Sequence, residues 1–270
     1  MKNKKKFLCP LCNSKKIEYS YTFKKIKHYE CKDCLLIFQE IFKNKASNIV
    51  KTLKKFYSKE YYEKNYKKEN AVFKPRKKQY ILDKKILLEY FKDHKSKSIL
   101  DYGCGNGLFL KLFKSKKFGH DLNPNIEKKS KIIYLNSKEI IKKKFDLIIM
   151  RGSLEHMHNF KKILKLLFSS TKNGGLFFIT ATPNSSSLAF NLNRIRFNQN
   201  HEQHILHFNH INLSNYFLKN KFLNVGVHFQ YFKTPYMNLK RDYKMLKNPK
   251  KGLMPPSPGN MMTLVFKKMI

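Results

Sequence analysis

The sequence predicts an α/β protein with a largely parallel sheet and helices on both of its faces, preceded by a small module rich in cysteine. Residues 96–270 alternate short apolar runs with helical stretches, a pattern typical of βαβ units. Residues 1–45 hold four of the five cysteines and have little apolar mass for a core. Residues 46–95, where aromatic residues and lysines are interleaved, are predicted to form a helical linker or cap.

The strands of the large domain can be placed in order along the chain. Ser98–Tyr102 comes first and leads into a turn with three glycines, followed by an expected helix. Four further strands are expected, at Lys117–Asp121, Ile132–Leu135, Phe145–Met150 and Leu176–Thr180. A helix near 159–170 and a turn at Asn173–Gly175 precede the last of these. Two later runs are expected to form an antiparallel pair, Phe222–Phe229 and Met262–Phe266.

The net charge of +39 suggests a polyanion as a partner, but the residues that carry it favour a compositional origin. Only five of the 57 basic residues are arginine, the residue whose fork reads phosphates and bases. We therefore expect a small-molecule partner and keep nucleic acid as the less favoured alternative. No run of about 20 apolar residues is present, so no membrane span is expected. No apolar stretch follows the basic start, and we expect a cytoplasmic protein; its oligomeric state is left open.

Two C-x-x-C pairs lie 18 residues apart near the start of the chain. Each pair places two thiolates on one side of a tight turn, and two such turns complete a tetrahedron. A zinc ribbon is therefore predicted, and its metal would supply the stability that the short module lacks. The predicted ligands are Cys9, Cys12, Cys31 and Cys34. Four thiolates leave no open coordination position, so the zinc would be structural; a redox pair or disulfides are the alternatives.

The turn after Ser98–Tyr102 reads Asp101-x-Gly103-x-Gly105-x-Gly107. A dinucleotide site needs G-x-G-x-x-G, whose third glycine packs a helix on a strand beside a pyrophosphate. Here the glycine spacing differs, and Asp101 would repel a pyrophosphate. A cationic ligand without phosphates fits this turn better.

This turn resembles motif I of class I methyltransferases, which use S-adenosylmethionine. Asp121 lies where that family binds both ribose hydroxyls. Later matches follow in the family's order: Phe145–Ile148, Leu154–His156, Lys172–Gly175 and Thr182–Asn184. The resemblance implies a Rossmann-like methyltransferase sheet and a set of cofactor-binding residues: Asp101, Tyr102, Gly103, Gly105, Gly107, Asp121 and Met150. Where the family often reads adenine with an acid, this chain has Asn136 and Ser137.

Candidate bases for the methyl acceptor should follow the strands whose carboxyl ends lie beside the cofactor. The segment His201–Phe208 resembles the EH-x-x-(Y/H)-F element of zinc-ribbon methyltransferases that act on nucleotide sugars. His204 matches the family's histidine, but Gln203 stands at the glutamate position, one residue after Glu202. We predict His204 as base or orienting group, assisted by His156 or Glu202. The alternative is that His204 only packs.

The segment Phe56–Tyr62 resembles the FY-x-x-x-YY link between ribbon and catalytic domain in the same methyltransferases. It belongs to a tyrosine cluster that is expected to pack in a cap over the cofactor, comprising Tyr57, Tyr61, Tyr62 and Tyr66.

The predicted function is that of an S-adenosylmethionine-dependent methyltransferase for a small molecule, a sugar or another cell-envelope precursor. One alternative is an RNA methyltransferase, because some of these begin with a similar zinc module. A quinone-type O-methyltransferase is a second alternative. A non-catalytic binding module is disfavoured by the intact Asp101, Asp121 and glycines.

Overall fold

The computed structural model of the chain contains two β-sheets, one of four strands and one of seven. The residues that it describes are 7–44, 49, 69–123, 131–192, 194, 202–234, 239–240, 243 and 259–270. The predicted tyrosine cluster at 57–66 lies outside them, as does His201.

The smaller sheet contains the cysteine module and one strand from far along the chain. Its order is β1-β2-β3-β9, and every neighbouring pair is antiparallel. The strands span Ile17–Phe23 (β1), Ile26–Cys31 (β2), Ile37–Gln39 (β3) and Leu206–His207 (β9). The module is therefore not a separate sheet, because β9 comes from the predicted large domain.

The larger sheet has seven strands in the order β10-β11-β8-β7-β4-β5-β6. Strands β4 to β8 are parallel, whereas β11 runs antiparallel to β8 and β10 antiparallel to β11. The bounds are Ser98–Tyr102 (β4), Lys116–His120 (β5), Ile133–Tyr134 (β6), Phe145–Arg151 (β7), Thr171–Pro183 (β8), Phe222–His228 (β10) and Met261–Lys268 (β11). The predicted parallel sheet and its final antiparallel pair are both confirmed.

Helices cover both faces of this sheet, as predicted. The described α-helices are Glu69–Tyr90 (α1), Ser137–Ile140 (α2), Phe160–Ser170 (α3), Leu188–Leu192 (α4) and His210–Leu218 (α5). Successive residues of β7 and β8 belong alternately to two apolar clusters, because side chains alternate across a strand. One cluster includes residues of α1, and the other includes residues of α2, α3, α5 and the cysteine module. No helix in the described ranges is long and apolar enough to span a membrane.

Two elements differ from the sequence prediction. The helix expected after the glycine turn is a single 3₁₀ turn at Leu110–Leu112, because β5 begins at Lys116 and leaves too few residues for several helical turns. Strand β8 begins at Thr171, before the predicted turn. A register shift after the pair of Phe145 with Thr171 absorbs the glycines there.

A buried polar network ties α1 to the carboxyl ends of β7 and β8. Asp83 of α1 is fully buried and pairs with Arg151 at the end of β7, with 2.8 Å between Oδ2 and Nε. Its other oxygen accepts hydrogen bonds from Thr180, Gln230 and Tyr231, at 2.6 to 2.9 Å. Such a satisfied carboxylate fixes α1 across this edge of the sheet.

Asp83→Asn should lower the free energy of unfolding by about 3–5 kcal/mol, because it leaves the largely buried Arg151 without its anionic partner. Urea unfolding would measure this loss. Asp146→Asn is the matched control, since Asp146 pairs with the half-exposed Lys172 and should cost only about 1–2 kcal/mol. Equal losses of unfolding free energy in the two variants would contradict the role of Asp83 in fixing α1 across the sheet edge.

Candidate functional site

The glycine turn lies at the carboxyl end of β4, and two of its glycines have no room for a side chain. Gly103 and Gly107 have φ values of +88° and +74°, in the left-handed region that favours glycine. A Cβ on Gly103 would lie 2.8 Å from Ser153 Cβ, and one on Gly107 would lie 2.3 Å from Ile132 Cδ1. The turn therefore packs closely on Ser153 and Ile132, and glycine is required at both positions.

Asp101 lies just before this turn and is almost completely buried. Its Oδ1 atom has no hydrogen-bonding partner among the described residues. Burial raises the pKa of Asp101 to about 7, and the nearby Arg151 opposes this shift. A buried carboxyl with an unused oxygen matches a ligand that brings a cation or a hydrogen-bond donor.

Asp121 follows β5, and its carboxylate faces the turn. Its Oδ2 accepts the backbone N–H of Gly105 at 2.8 Å, and Oδ1 accepts that of Asn123 at 2.9 Å. Tyr102 is buried and stacks on His120, and Met150 is fully buried in β7. The structure thus brings the predicted cofactor-binding residues together at the carboxyl ends of β4, β5 and β7.

Cys104, inside the turn, has the character of a packing residue. Burial raises the pKa of its thiol well above the usual value, so it stays protonated and is a poor nucleophile.

A second polar cluster lies beyond the end of β7. One ligand-type atom from each of Glu155, His156 and His204 lies within 4.8 Å of the others. Glu155 and His204 are 2% and 6% exposed, and the His156 and His204 rings are 4.7 Å apart. Burial raises the pKa of Glu155 to about 7. A buried acid beside two imidazoles can hold or move a proton.

The predicted assistant Glu202 lies apart from this cluster. Its carboxylate is about a third exposed and pairs at 3.0 Å with Lys24, in the turn between β1 and β2. The structure thus places Glu155, rather than Glu202, beside the two histidines.

The loop that carries His204 is held from two sides. Gln39 of β3 donates its side-chain amide to the carbonyls of Glu202 and His204, at 2.9 and 3.2 Å. From the opposite side, His156 Nδ1 hydrogen-bonds the carbonyl of Gln203 at 2.9 Å. The position of His204 therefore depends on the cysteine module as well as on the large sheet.

The four cysteines of the module converge on one point. Their Sγ atoms all lie within 4.8 Å of one another, and the Cys9–Cys34 and Cys12–Cys31 pairs are 3.5 Å apart. Thiolates around a tetrahedral zinc with bonds of about 2.3 Å would be roughly 3.8 Å apart. All four are free cysteines, as a metal site requires.

The two cysteine turns have the same backbone pattern. The N–H groups of Asn13 and Leu35 donate to the carbonyls of Cys9 and Cys31, respectively, four residues earlier. Asn13 and Leu35 both have left-handed φ values, of 63° and 59°. Each turn thereby points its two thiols the same way. The arrangement suits a Cys₄ zinc site.

Sequence reasoning missed two features. The Glu155–His156 pair stood out as a place for candidate bases, but Glu155 itself was given no role, because nothing in that pattern showed that its side chain meets His204, 49 positions away. The Asp83–Arg151 pair gave no sequence signal, because it joins residues 68 positions apart.

Comparisons with known proteins agree with this fold. A family model described as a methyltransferase domain matches residues 75–225. No curated protein sequence matches significantly.

Solved structures of several methyltransferases are similar in fold. The 1,6-didemethyltoxoflavin-N1-methyltransferase of Burkholderia thailandensis has a TM-score of 0.55 and 14% identity, over 94% of this chain and 100% of that one. A chain from the Haloferax volcanii complex of the Trm112 methyltransferase activator with a methyltransferase has a TM-score of 0.55 and 11% identity, over 73% and 93%. At such low identity these likenesses show the fold alone.

Asp101→Asn should change how stability depends on pH in the ligand-free protein. The raised pKa means that folded Asp101 keeps its proton between about pH 4 and pH 7, where the unfolded chain has released it. Wild-type stability therefore falls over that range as pH rises, and asparagine removes this loss. Urea unfolding at pH 5 and pH 8 should show the variant gaining on wild type, by at most about 3 kcal/mol. A difference that does not change with pH would contradict the assignment.

Proposed function

The chain belongs to the methyltransferase-domain family, and on this premise we propose that it transfers a methyl group from S-adenosylmethionine to a small molecule. The observation that carries the proposal is the buried Glu155–His156–His204 cluster, which lies beyond the same sheet edge as Asp101 and Asp121. One edge would thus hold a cofactor and an acceptor side by side.

The cofactor would be held by the glycine turn and the two aspartates. The left-handed backbone at Gly103 and Gly107 shapes this turn. The Oδ1 atom of Asp101, which has no hydrogen-bonding partner among the described residues, suits a cationic ligand. Asp121 is fixed by two backbone N–H groups and would accept hydrogen bonds from the ribose hydroxyls. Tyr102 and Met150 would complete the site. When bound, S-adenosylmethionine supplies an electrophilic methyl group on a sulfonium.

The acceptor's proton would pass to the histidines. A carbonyl can only accept hydrogen bonds, so His156 Nδ1 carries the proton in its bond to Gln203. In the neutral ring Nε2 then has a lone pair, and it lies 4.0 Å from Glu155 Oε1. His204, T-shaped against His156, would take the proton directly or orient the acceptor.

A sugar or another cell-envelope precursor is the acceptor class we propose. The cysteine module, the segment 201–208 and the Leu154–His156 motif together resemble zinc-ribbon methyltransferases for nucleotide sugars. The Burkholderia thailandensis neighbour, solved with 1,6-didemethyltoxoflavin and S-adenosylhomocysteine, is consistent with a small-molecule acceptor for this fold.

We further propose that residues 1–45 act as a structural zinc ribbon with Cys9, Cys12, Cys31 and Cys34 as ligands. A zinc ion with four thiolates carries a net negative charge. Burial lowers the pKa of Lys161 of α3, and the nearby cysteine thiols oppose this shift. Its ammonium donates a hydrogen bond to Asn13 at 3.0 Å. Residues 46–95 would be the linker and cap, and residues 96–270 the catalytic domain.

The purified protein should bind S-adenosylmethionine in preference to NAD. Asp121→Ala should weaken that binding by about 1–3 kcal/mol in calorimetry, because it removes the carboxylate acceptor. Asp121→Asn is the control for the turn, since it keeps an oxygen for the Gly105 N–H and should lose less. Tighter binding of NAD than of S-adenosylmethionine would overturn the proposed cofactor.

His204→Ala should lower turnover by about 10²- to 10⁴-fold, the usual contribution of a general base, and leave cofactor affinity nearly unchanged. Release of S-adenosylhomocysteine, in a screen of nucleotide sugars beside total RNA, would identify the acceptor and then measure turnover. Glu155→Gln should reduce turnover more than Glu202→Gln, because only Glu155 lies in the cluster. If turnover were unchanged in His204→Ala, the result would show that His204 is only a packing residue.

Activity on RNA but not on nucleotide sugars would show that the acceptor is RNA and not a sugar. Binding would then weaken steeply with salt, as phosphate contacts require.

A further inference from the structure

We propose that Glu155, His156 and His204 form a second metal site, distinct from the four cysteines, which binds a divalent cation of the zinc type. The cation site itself stands on the geometry of these three residues. Only its place beside the methyl acceptor rests on the proposed function.

The distances suit a metal site that closes slightly when the ion binds. The three ligand-type atoms lie within 4.8 Å of one another, and His156 Nε2 is 4.0 Å from Glu155 Oε1. Nitrogen and oxygen ligands with bonds of about 2.1 Å lie roughly 3.0–3.5 Å apart around one ion. Side-chain movements of about an ångström would complete the coordination.

The surroundings of the cluster are those of metal ligands. A metal-bound histidine usually donates its other ring N–H to a carbonyl or carboxylate, which fixes its tautomer. His156 does this through Nδ1 to the Gln203 carbonyl, so its Nε2 lone pair is directed away from that bond. The Glu155 carboxylate is hydrogen-bonded in turn by the Thr182 hydroxyl, at 3.4 Å.

The charge of the cluster favours a cation. Glu155 is almost completely buried, and a charged carboxylate in such a place needs a positive partner. Arg151 exerts an attractive field on Glu155, but its Nε is committed to Asp83. A divalent ion between Glu155 and two neutral imidazoles would supply the missing charge.

The ligand set indicates which ions would bind. Two imidazoles and one carboxylate favour zinc or a neighbouring first-row metal, whereas magnesium and calcium favour oxygen ligands. Three protein ligands also leave coordination positions open, unlike the four thiolates of the cysteine module. A heteroatom of the acceptor could take such a position. With the ion bound, the two imidazoles would hold the metal instead of taking the acceptor's proton.

Cobalt(II) is the probe that separates the two sites, because only thiolate ligands give it intense charge-transfer absorption in the near ultraviolet. The full-length protein would be stripped with a chelator under reducing conditions and titrated with Co²⁺ alone. We expect wild type to bind close to two ions per chain, only one of them with the thiolate bands. Glu155→Gln and His204→Gln should each bind one ion and keep those bands, which also report that the variant is folded.

Glu202→Gln is the matched control and should still bind two ions, because that glutamate of the same loop pairs with Lys24 outside the cluster. Cys31→Ser should lose the thiolate bands. A single ion per wild-type chain would overturn the proposal, whether or not the variants fold. Two ions in wild type and in both cluster variants would also overturn it, because the second ion would then lie elsewhere.

Calorimetry with S-adenosylmethionine on the same samples keeps the two proposals apart. Loss of the second metal alone would leave the methyltransferase proposal intact. If the protein bound two metal ions per chain but no S-adenosylmethionine, the proposed function would be wrong and the proposed metal site would stand.

Discussion

The pairing of β3 with β9 is the interaction on which the Glu155–His156–His204 cluster depends. It joins Ile37 to His207 and Phe38 to Leu206, and so links the cysteine module to the loop after β8. The module packs into the same apolar cluster as α3 and α5. Because Gln39 at the end of β3 also holds the carbonyls around His204, any loosening of the module would move that histidine. The cysteine module thus has a direct part in shaping this cluster, although it lies far from the glycine turn in sequence.

The sheet edge itself is marked by two buried carboxyls, Asp101 and Glu155. In each, burial raises the pKa to about 7, so each is costly to charge in the absence of a ligand. Folded proteins tolerate such groups mainly where they serve binding or chemistry. The contrast with Asp83 is informative: that carboxylate is equally buried but has three hydrogen-bond donors and a guanidinium, and its role is to hold α1 in place.

Local patterns in the sequence were enough to predict most of the sheet. The apolar runs of β4, β7 and β8 and the glycine spacing after β4 are properties of a few adjacent residues. The pairing of β9 with the cysteine module could not be predicted from the sequence, because β9 has only two residues and these show no pattern of a strand. Glu202 and Glu155 show the same limit for the site. Both are acids near a histidine in sequence, and only the three-dimensional path of the chain puts one beside His204 and the other beside Lys24.

The position of β11 in the large sheet sets the order in which the protein can be completed during synthesis. Strand β11 lies between β8 and β10, yet β10 ends at His228 and β11 begins at Met261. Among the described strands, a nascent chain that has passed His228 therefore has an exposed edge on β8 and no partner strand for β10 until Lys268 has left the ribosome. A chain truncated before Met261 would lack β11 permanently, and the apolar edge of β8 would then be exposed to aggregation.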